Sequence, residues 1–434
     1  MKVLVISHNP VSSNNNMGKT MLSLFSCFTE EELCQFYIYP TFPDVRKCTS
    51  YYRITDKEAL KNIVFGKDIG REIQTEEISF CNNKLFENAG DEKLYRNIKN
   101  KLPFRMLLRD VMWKCAHWFG KRLRKWIEKQ KPTCIFFAPG DAKFIYEITL
   151  KIAKKYKLPI ITYICDDYYF VEKTKGFLKK IQVNSLRKEI KKIIEHTANG
   201  ICICDEIKDR YTKHFSLPCT TIMTGASFEI SDIKSLYRSD FHDPLSMVYL
   251  GNIRCKRYVS LIQIGKVLEE ITRESGKRYK LKIYTPEKED EILKPLKEIS
   301  TIQLCGFVSG QDYLNVLCSA EILVHTESFD PEMIDLVKSS ISTKIADSLA
   351  SGRKIFAYGS EEVASIKYLK STGGAYVSTS SSTLKEIIIK AFQDTDDDVI
   401  RCALNAANIN HNARKNSEVV HELCCKLSGE KAIS

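Results

Sequence analysis

The sequence predicts an α/β protein of two doubly wound domains facing each other across a cleft, on two observations. Short β-branched or aromatic runs alternate with amphipathic segments along nearly all of the 434 residues, which is βαβ grammar and implies parallel sheets covered on both faces. Near residues 227–244 the alternation lapses into a polar stretch, and then the same grammar begins again. The composition, 44% hydrophobic and 28% charged with 19 Gly, 12 Pro and no low-complexity tract, excludes a fibrous or largely disordered chain.

The runs KVLVI (2–6), QFYIY (35–39), CIFFA (134–138), PIITYI (159–164), GICIC (200–204) and TTIM (220–223) read as buried strands of a Rossmann-like domain over 1–228. Between them, 107–131 reads as one helix. A helical projection puts Leu108, Met112, Cys115, Phe119, Leu123 and Trp126 on its apolar face, Lys114, Lys121 and Lys125 opposite, and Trp118 near the basic edge. A linker is expected over 229–245. The second Rossmann-like domain, 246–405, opens with the strand SMVYLGN and a long amphipathic helix. The strands KLKIY, IQLCGF and EILVH follow, then the helix ISTKIADSLAS, the strand KIFAY and the helix LKEIIIKAF. The segment 406–434 contains the amphipathic run SEVVHELCCKL and is expected to pack back on the first domain.

No run approaches the roughly 20 apolar residues that span a bilayer, and MKVLVISHNP reads as an opening strand rather than an export signal. Among the 16 cysteines, Cys134, Cys165 and Cys305 stand singly inside apolar strands. Free core thiols in a reducing compartment explain that distribution, and a cytoplasmic location is expected. Lys and Arg number 66 against 54 Asp and Glu, an excess of 12 positive charges. No nucleic-acid motif accompanies the excess. It divides into a small cationic cluster and the basic helix 107–131, which is either a solvated face or a surface for anionic lipid.

Doubly wound sheets bind ligands beyond the carboxyl ends of their strands, so candidate sites are sought there. In SHNPVSSNNNMGKTMLSLF (7–25), Gly18-Lys19-Thr20 lacks the glycine a phosphate loop needs five residues earlier, where Ser13 stands. Gly18 then serves backbone approach to a ligand at a helix start, or simply the start itself. In YLGNIRCKRYVSL (249–261), Arg254, Lys256 and Arg257 cluster at a helix N-terminus, where cations oppose the dipole unless an anion completes the site. In 324–360, Ser342, Thr343 and Lys344 open a helix closed by Gly352 and make a diphosphate site, with Asp347 on the same face as Lys344. In ICDDYYF (164–170), Asp166 and Asp167 suit capping or acceptor contact better than metal binding.

These pieces, in this order, resemble the GT-B fold glycosyltransferases, specifically the retaining family-four type of bacterial polysaccharide assembly. The likeness is clearest over 246–375. In that family a glycine and two cations begin the second domain and bind the donor diphosphate. Gly251 matches the glycine, Asn252 falls where the first cation stands, Arg254 is its substitute, and Arg257 matches the second. DSLASG (347–352) matches the second half of the family's paired-glutamate signature, with Asp347 in place of the glutamate that contacts ribose. Glu327 or Asp330 takes the place of the first glutamate. The resemblance implies transfer, with retention, of a sugar from a nucleoside-diphosphate sugar to a glycan or lipid-linked acceptor. No metal or cofactor is implied, because Arg257 and Lys344 stabilise the departing diphosphate. A nucleotide-sugar epimerase of the same fold, or a non-enzymatic two-domain ligand-binding protein, are the alternatives.

Overall fold

The computed structural model describes residues 1–13, 16–74, 77–78, 102–171, 174, 176–228 and 243–429. Of the linker expected at 229–245, all but the last three residues lie outside the described residues, as do residues 14 and 15 of the loop 7–25. The chain forms two units: one reaches Thr224 and resumes at Ala413, and the other is Gly225–Asn412.

The first unit is built on eight strands: β1 (Val3–Ser7), β2 (Leu33–Tyr37), β3 (Ser50–Arg53), β4 (Arg71–Ile73), β5 (Cys134–Ala138), β6 (Ile160–Ile164), β7 (Thr197–Cys202) and β8 (Cys219–Thr221). Their order is β4-β3-β2-β1-β5-β6-β7-β8. All neighbours run parallel except β3 and β4, which are antiparallel. Every residue of β1, β2, β5 and β6 is buried, because helices cover both faces of a parallel sheet. The short strands β3 and β4 are absent from the sequence reading; three or four residues carry too little periodicity to be seen. The helix Ala413–Ser428 inserts Val420 and Cys424 into the core of Val3, Val5, Phe25 and Phe136. Cys34, Cys48, Cys134, Cys202 and Cys204 of this unit are buried free thiols, whereas Cys27 and Cys115 are exposed.

Residues 107–131 are not one helix. Helices Pro103–Cys115 and Lys121–Gln130 are separated by a break at 116–120. Lys114, Lys121 and Lys125 are exposed, but the apolar face is rotated from the projection: Leu108 and Cys115 are exposed, while Met106, Arg109 and Trp113 are buried. The reason is a polar partner invisible to periodicity. Asp56, 53 residues before Arg109, accepts from Arg109 Nε at 2.9 Å and from Trp113 Nε1 at 2.6 Å through one oxygen, so an arginine is held inward with its charge matched. Arg109 also lies 4.8 Å over the Phe144 ring, and Trp113 stacks on the same ring. Trp118 is buried beneath the Lys151 ammonium, 5.1 Å from its ring, rather than at a basic edge.

The second unit has β9 (Leu245–Leu250), β10 (Tyr279–Tyr284), β11 (Ile302–Gly306), β12 (Ile322–Thr326), β13 (Lys354–Tyr358) and β14 (Tyr376–Ser378) in the order β11-β10-β9-β12-β13-β14, parallel throughout. Met247, Leu281, Ile322 and Phe356 on the strands pack with Leu261, Ile264 and Leu268 of the helix Arg257–Ser275. The boundary expected at 405/406 falls inside the helix Asp398–Asn410, which belongs to this unit; the chain leaves it only after Asn412. Among the described residues no helix is long and apolar enough to cross a membrane.

Removing one member of a buried, hydrogen-bonded ion pair strands its partner in low dielectric. Asp56→Ala is expected to cost about 3–5 kcal/mol of unfolding free energy, read from the urea midpoint of the full chain. A loss below about 1 kcal/mol contradicts the role given to this pair.

Candidate functional site

In the second unit the first strand of the sequence, β9, lies beside the fourth, β12. Connections leave these two strands in opposite directions across the sheet, so a crevice opens beyond their carboxyl ends. The residues that follow β9 and β12 are the ones the fold delivers there.

The chain leaves β9 through Gly251, whose φ of 155° lies in a region L side chains rarely adopt. A Cβ at this position would lie 3.5 Å from Lys344 Nζ and 3.5 Å from Tyr249 Oη, ordinary van der Waals contact, so the Lys344 side chain lies along the bare face of the turn. The turn beyond is tied to itself. Tyr249 Oη donates to the Asn252 carbonyl at 2.7 Å, and Asn252 Oδ1 accepts from the Arg254 amide at 2.7 Å. Cys255 and Lys256 then take left-handed conformations and deliver Arg257 as the first residue of the helix Arg257–Ser275. The amides of residues 257–259 donate to the carbonyls of Arg254, Ile253 and Lys256. This helix start therefore closes on its own turn rather than standing open to an anion.

The chain leaves β12 through Glu327, which is 2% exposed. A buried carboxylate needs a cation and hydrogen bonds, and Arg257 supplies a fork: Nε to Oε2 at 2.9 Å and Nη2 to Oε1 at 3.0 Å. Burial works against the Arg257 charge, but the Glu327 carboxylate more than offsets it and raises the guanidinium pKa. Ser260 Oγ donates to the Glu327 carbonyl at 2.8 Å. Ser365 Oγ lies 3.5 Å from Oε1 and 3.1 Å from His325 Nε2. Burial pushes His325 down to about 4, Glu327 pulling against that shift while Arg257 and Lys344 add to it. At neutral pH the imidazole is uncharged. The Arg257 and Glu327 charges offset one another within the fork, and Lys344 stands near enough to help lower the His325 pKa.

Several expected members have other partners. Arg254 is exposed and paired with Glu287 at 2.8 Å and Glu289 at 2.5 Å, and its bond holds the Glu287 carboxyl down to about 2. Asp347 is committed within the unit, Oδ1 accepting from the Ser227 amide at 2.7 Å and Oδ2 from Tyr313 Oη at 2.9 Å, so it is not turned outward toward a ribose. Ser342 and Thr343 precede the helix Lys344–Ala350 rather than opening it, and neither caps it through its side chain. Gly352 follows that helix with φ 67°, the left-handed residue expected at its end. Asp330 caps the helix Pro331–Val337 and pairs with Lys256 at 2.5 Å, leaving Glu327 as the carboxylate in the cluster. Asn252 shapes the turn. In the first unit, Gly18 is the third residue of the helix Asn16–Leu24, within its first turn, and Asp167 caps a turn by accepting from the amides of Tyr169 and Phe170.

His325, Ser365 and Ser260 join the cluster without having been singled out from the sequence. A signal existed for one of them: His325 and Glu327 stand two apart across a strand exit, which places both on one face.

No protein-family model matches the chain, and no curated protein matches it in sequence. Solved structures match its fold. HepE from Anabaena, in complex with UDP and glucose, superposes with a TM-score of 0.61 at 10% identity, covering 98% of this chain and 99% of that one. Sucrose-phosphate synthase from Thermosynechococcus elongatus gives 0.60 at 12% identity, covering 99% of each chain. WaaG, a glycosyltransferase involved in lipopolysaccharide biosynthesis, gives 0.56 at 11% identity, covering 96% and 99%. The architecture is the GT-B fold that the resemblance implied.

Two outcomes test this geometry. Glu327→Ala strands the Arg257 charge and is expected to cost about 3–5 kcal/mol, read from the denaturant midpoint of the full chain. Because folding holds His325 near 4 against an ordinary 6.5, the unfolded chain binds the extra proton between those values. Stability therefore falls as pH drops through that window, by about 3 kcal/mol at its acid end. His325→Gln is expected to flatten this part of the stability profile.

Proposed function

We propose that the chain is a glycosyltransferase that moves a sugar, with retention, from a nucleoside-diphosphate sugar to a glycan or lipid-linked acceptor in cell-surface polysaccharide synthesis. The observation that carries this reading is the convergence of Gly251, Lys344 and the Arg257–Glu327 fork beyond β9 and β12. The donor diphosphate is placed against the Gly251 turn, where the backbone admits close approach and the Lys344 ammonium faces it. As the diphosphate departs it gains negative charge, and a cation fixed in place stabilises that charge without reorganising. Arg257 acts with Glu327 as one neutral unit that fixes the site's geometry and presents Glu327 beside the transferred sugar. The leaving phosphate takes the acceptor proton on the same face, which gives retention and makes no demand for a base with a strongly shifted pKa. The fixed ammonium also takes the charge-neutralising part that a divalent cation would otherwise play. HepE, a fold neighbour, is described with UDP-glucose, and UDP-sugars are the first donors to test. The acceptor is expected at the cytoplasmic face of the membrane, with the enzyme peripherally bound.

A second reading has one observation in its favour. An epimerase of this fold needs a carboxylate and a histidine beside the sugar, and His325 lies 3.6 Å from Glu327. A transferase consumes acceptor and releases the nucleotide stoichiometrically, whereas an epimerase turns over the donor alone.

Thermal stabilisation across a panel of nucleotide sugars identifies the donor. With that donor, Lys344→Ala is expected to lower kcat/KM by roughly 10²–10³. Wild-type turnover by the purified variant removes Lys344 from the site.

A further inference from the structure

In the first unit three helices pack side by side: Asp56–Phe65 against Pro103–Cys115, and the latter against Phe177–Ile194. Their inward faces are occupied by the Asp56, Arg109 and Trp113 network and by buried Val183 and Leu186. Their outward faces mix apolar and cationic side chains. Val64, Phe65, Phe104, Leu108, Val111 and Phe177 are between 52% and 78% exposed. Sixteen large apolar residues are exposed among the described residues, and eleven of them stand on or immediately before these three helices. Single exposed apolar residues are ordinary, but a concentration of this kind on adjacent elements marks an interaction surface.

Charge selects the partner. The three helices carry eleven Lys or Arg against four Asp or Glu, a large part of the whole chain's excess of 12. Three of the four acids are already engaged: Asp56 with Arg109, Glu58 in a capping box with Thr55, and Glu189 with Lys192. A second copy of the chain would bring this cationic surface against itself in a two-fold contact, which like charges oppose. A bilayer containing acidic phospholipid matches both properties at once. Apolar tips enter the headgroup boundary, and ammonium groups meet phosphate.

We propose that the outward face of these three helices seats the protein on an anionic membrane surface. This docking surface is set by Phe65, Phe104 and Phe177, not by Trp118 or the basic face of Lys121–Gln130. The proposal does not rest on the transfer reaction, because lipid binding is read without catalysis.

The test uses the full chain sedimented with vesicles of phosphatidylcholine alone or of phosphatidylcholine with phosphatidylglycerol. Wild type is expected to sediment with the mixed vesicles at low salt, to be released at about 0.5 M salt, and to leave the neutral vesicles unbound. Phe65→Ser with Phe104→Ser and Phe177→Ser is expected to weaken binding at least about tenfold, with thermal midpoint and turnover in solution unchanged. Lys61→Glu with Lys180→Glu weakens it by a similar factor and keeps the test decisive if the first variant folds poorly. The proposal is overturned if wild type fails to bind mixed vesicles at low salt, or if both variants bind like wild type. Light scattering that shows a dimer dispersed by the phenylalanine substitutions, without lipid binding, overturns it in favour of self-association.

Discussion

The candidate site depends on a buried carboxylate that must be answered. Glu327 leaves the central strand β12 with almost no exposure, where an unpaired charge would be expensive enough to unfold the end of the strand. Arg257 answers it from the first turn of the helix after β9, and the fork ties two neighbouring strand ends that the sequence separates by 70 residues. Much else follows from that tie. Ser260 and Ser365 complete the shell around Glu327, and the nearby cations together with burial hold His325 neutral. The fork is internally neutral, and the Lys344 ammonium approaches the place along the β9 turn where the chain carries no side chain.

The same constraint explains how far the sequence could be read. The long strands were legible because a parallel sheet covered on both faces demands continuous apolar runs, and KVLVI, CIFFA and KIFAY are such runs. The short strands β3, β4 and β14 offer no comparable signal. Gly251, Arg257 and Glu327 could be picked out as candidates because the fold sends whatever follows a central strand to the crevice, and Lys344 because it opens the helix before β13. What could not be read was commitment to a partner. Arg254 looked like a second diphosphate cation, but Glu287 and Glu289 lie 33 and 35 residues further on and take it away. Asp347 looked like a ribose ligand on a helix face, and both its oxygens are used by Ser227 and Tyr313. Spacing places a charged residue on a face; only tertiary structure says which opposite charge has reached it first.

The helices before β5 show the same limit from the other side. Periodicity assumes that charged residues point outward, and Arg109 breaks the assumption because Asp56 meets it inside. Once Arg109 turns in, the helix rotates, Trp113 follows it to the shared carboxylate, and Leu108, Phe104 and Val111 are carried to the surface. The exposed apolar face is thus a geometric consequence of the buried ion pair. A helix that satisfied the simple projection would have hidden Leu108 and left no such face. The inward network needs none of the outward side chains, so the outer surface is free to vary without loss of the packing beneath it. That separation divides the chain's positive excess into two kinds of charge. In the second unit the Lys344 ammonium meets the Gly251 turn beside a fork whose charges cancel, where position matters more than number. On the three helices of the first unit ten cations, Arg109 being turned inward, accompany an apolar face, where number matters more than the position of any one.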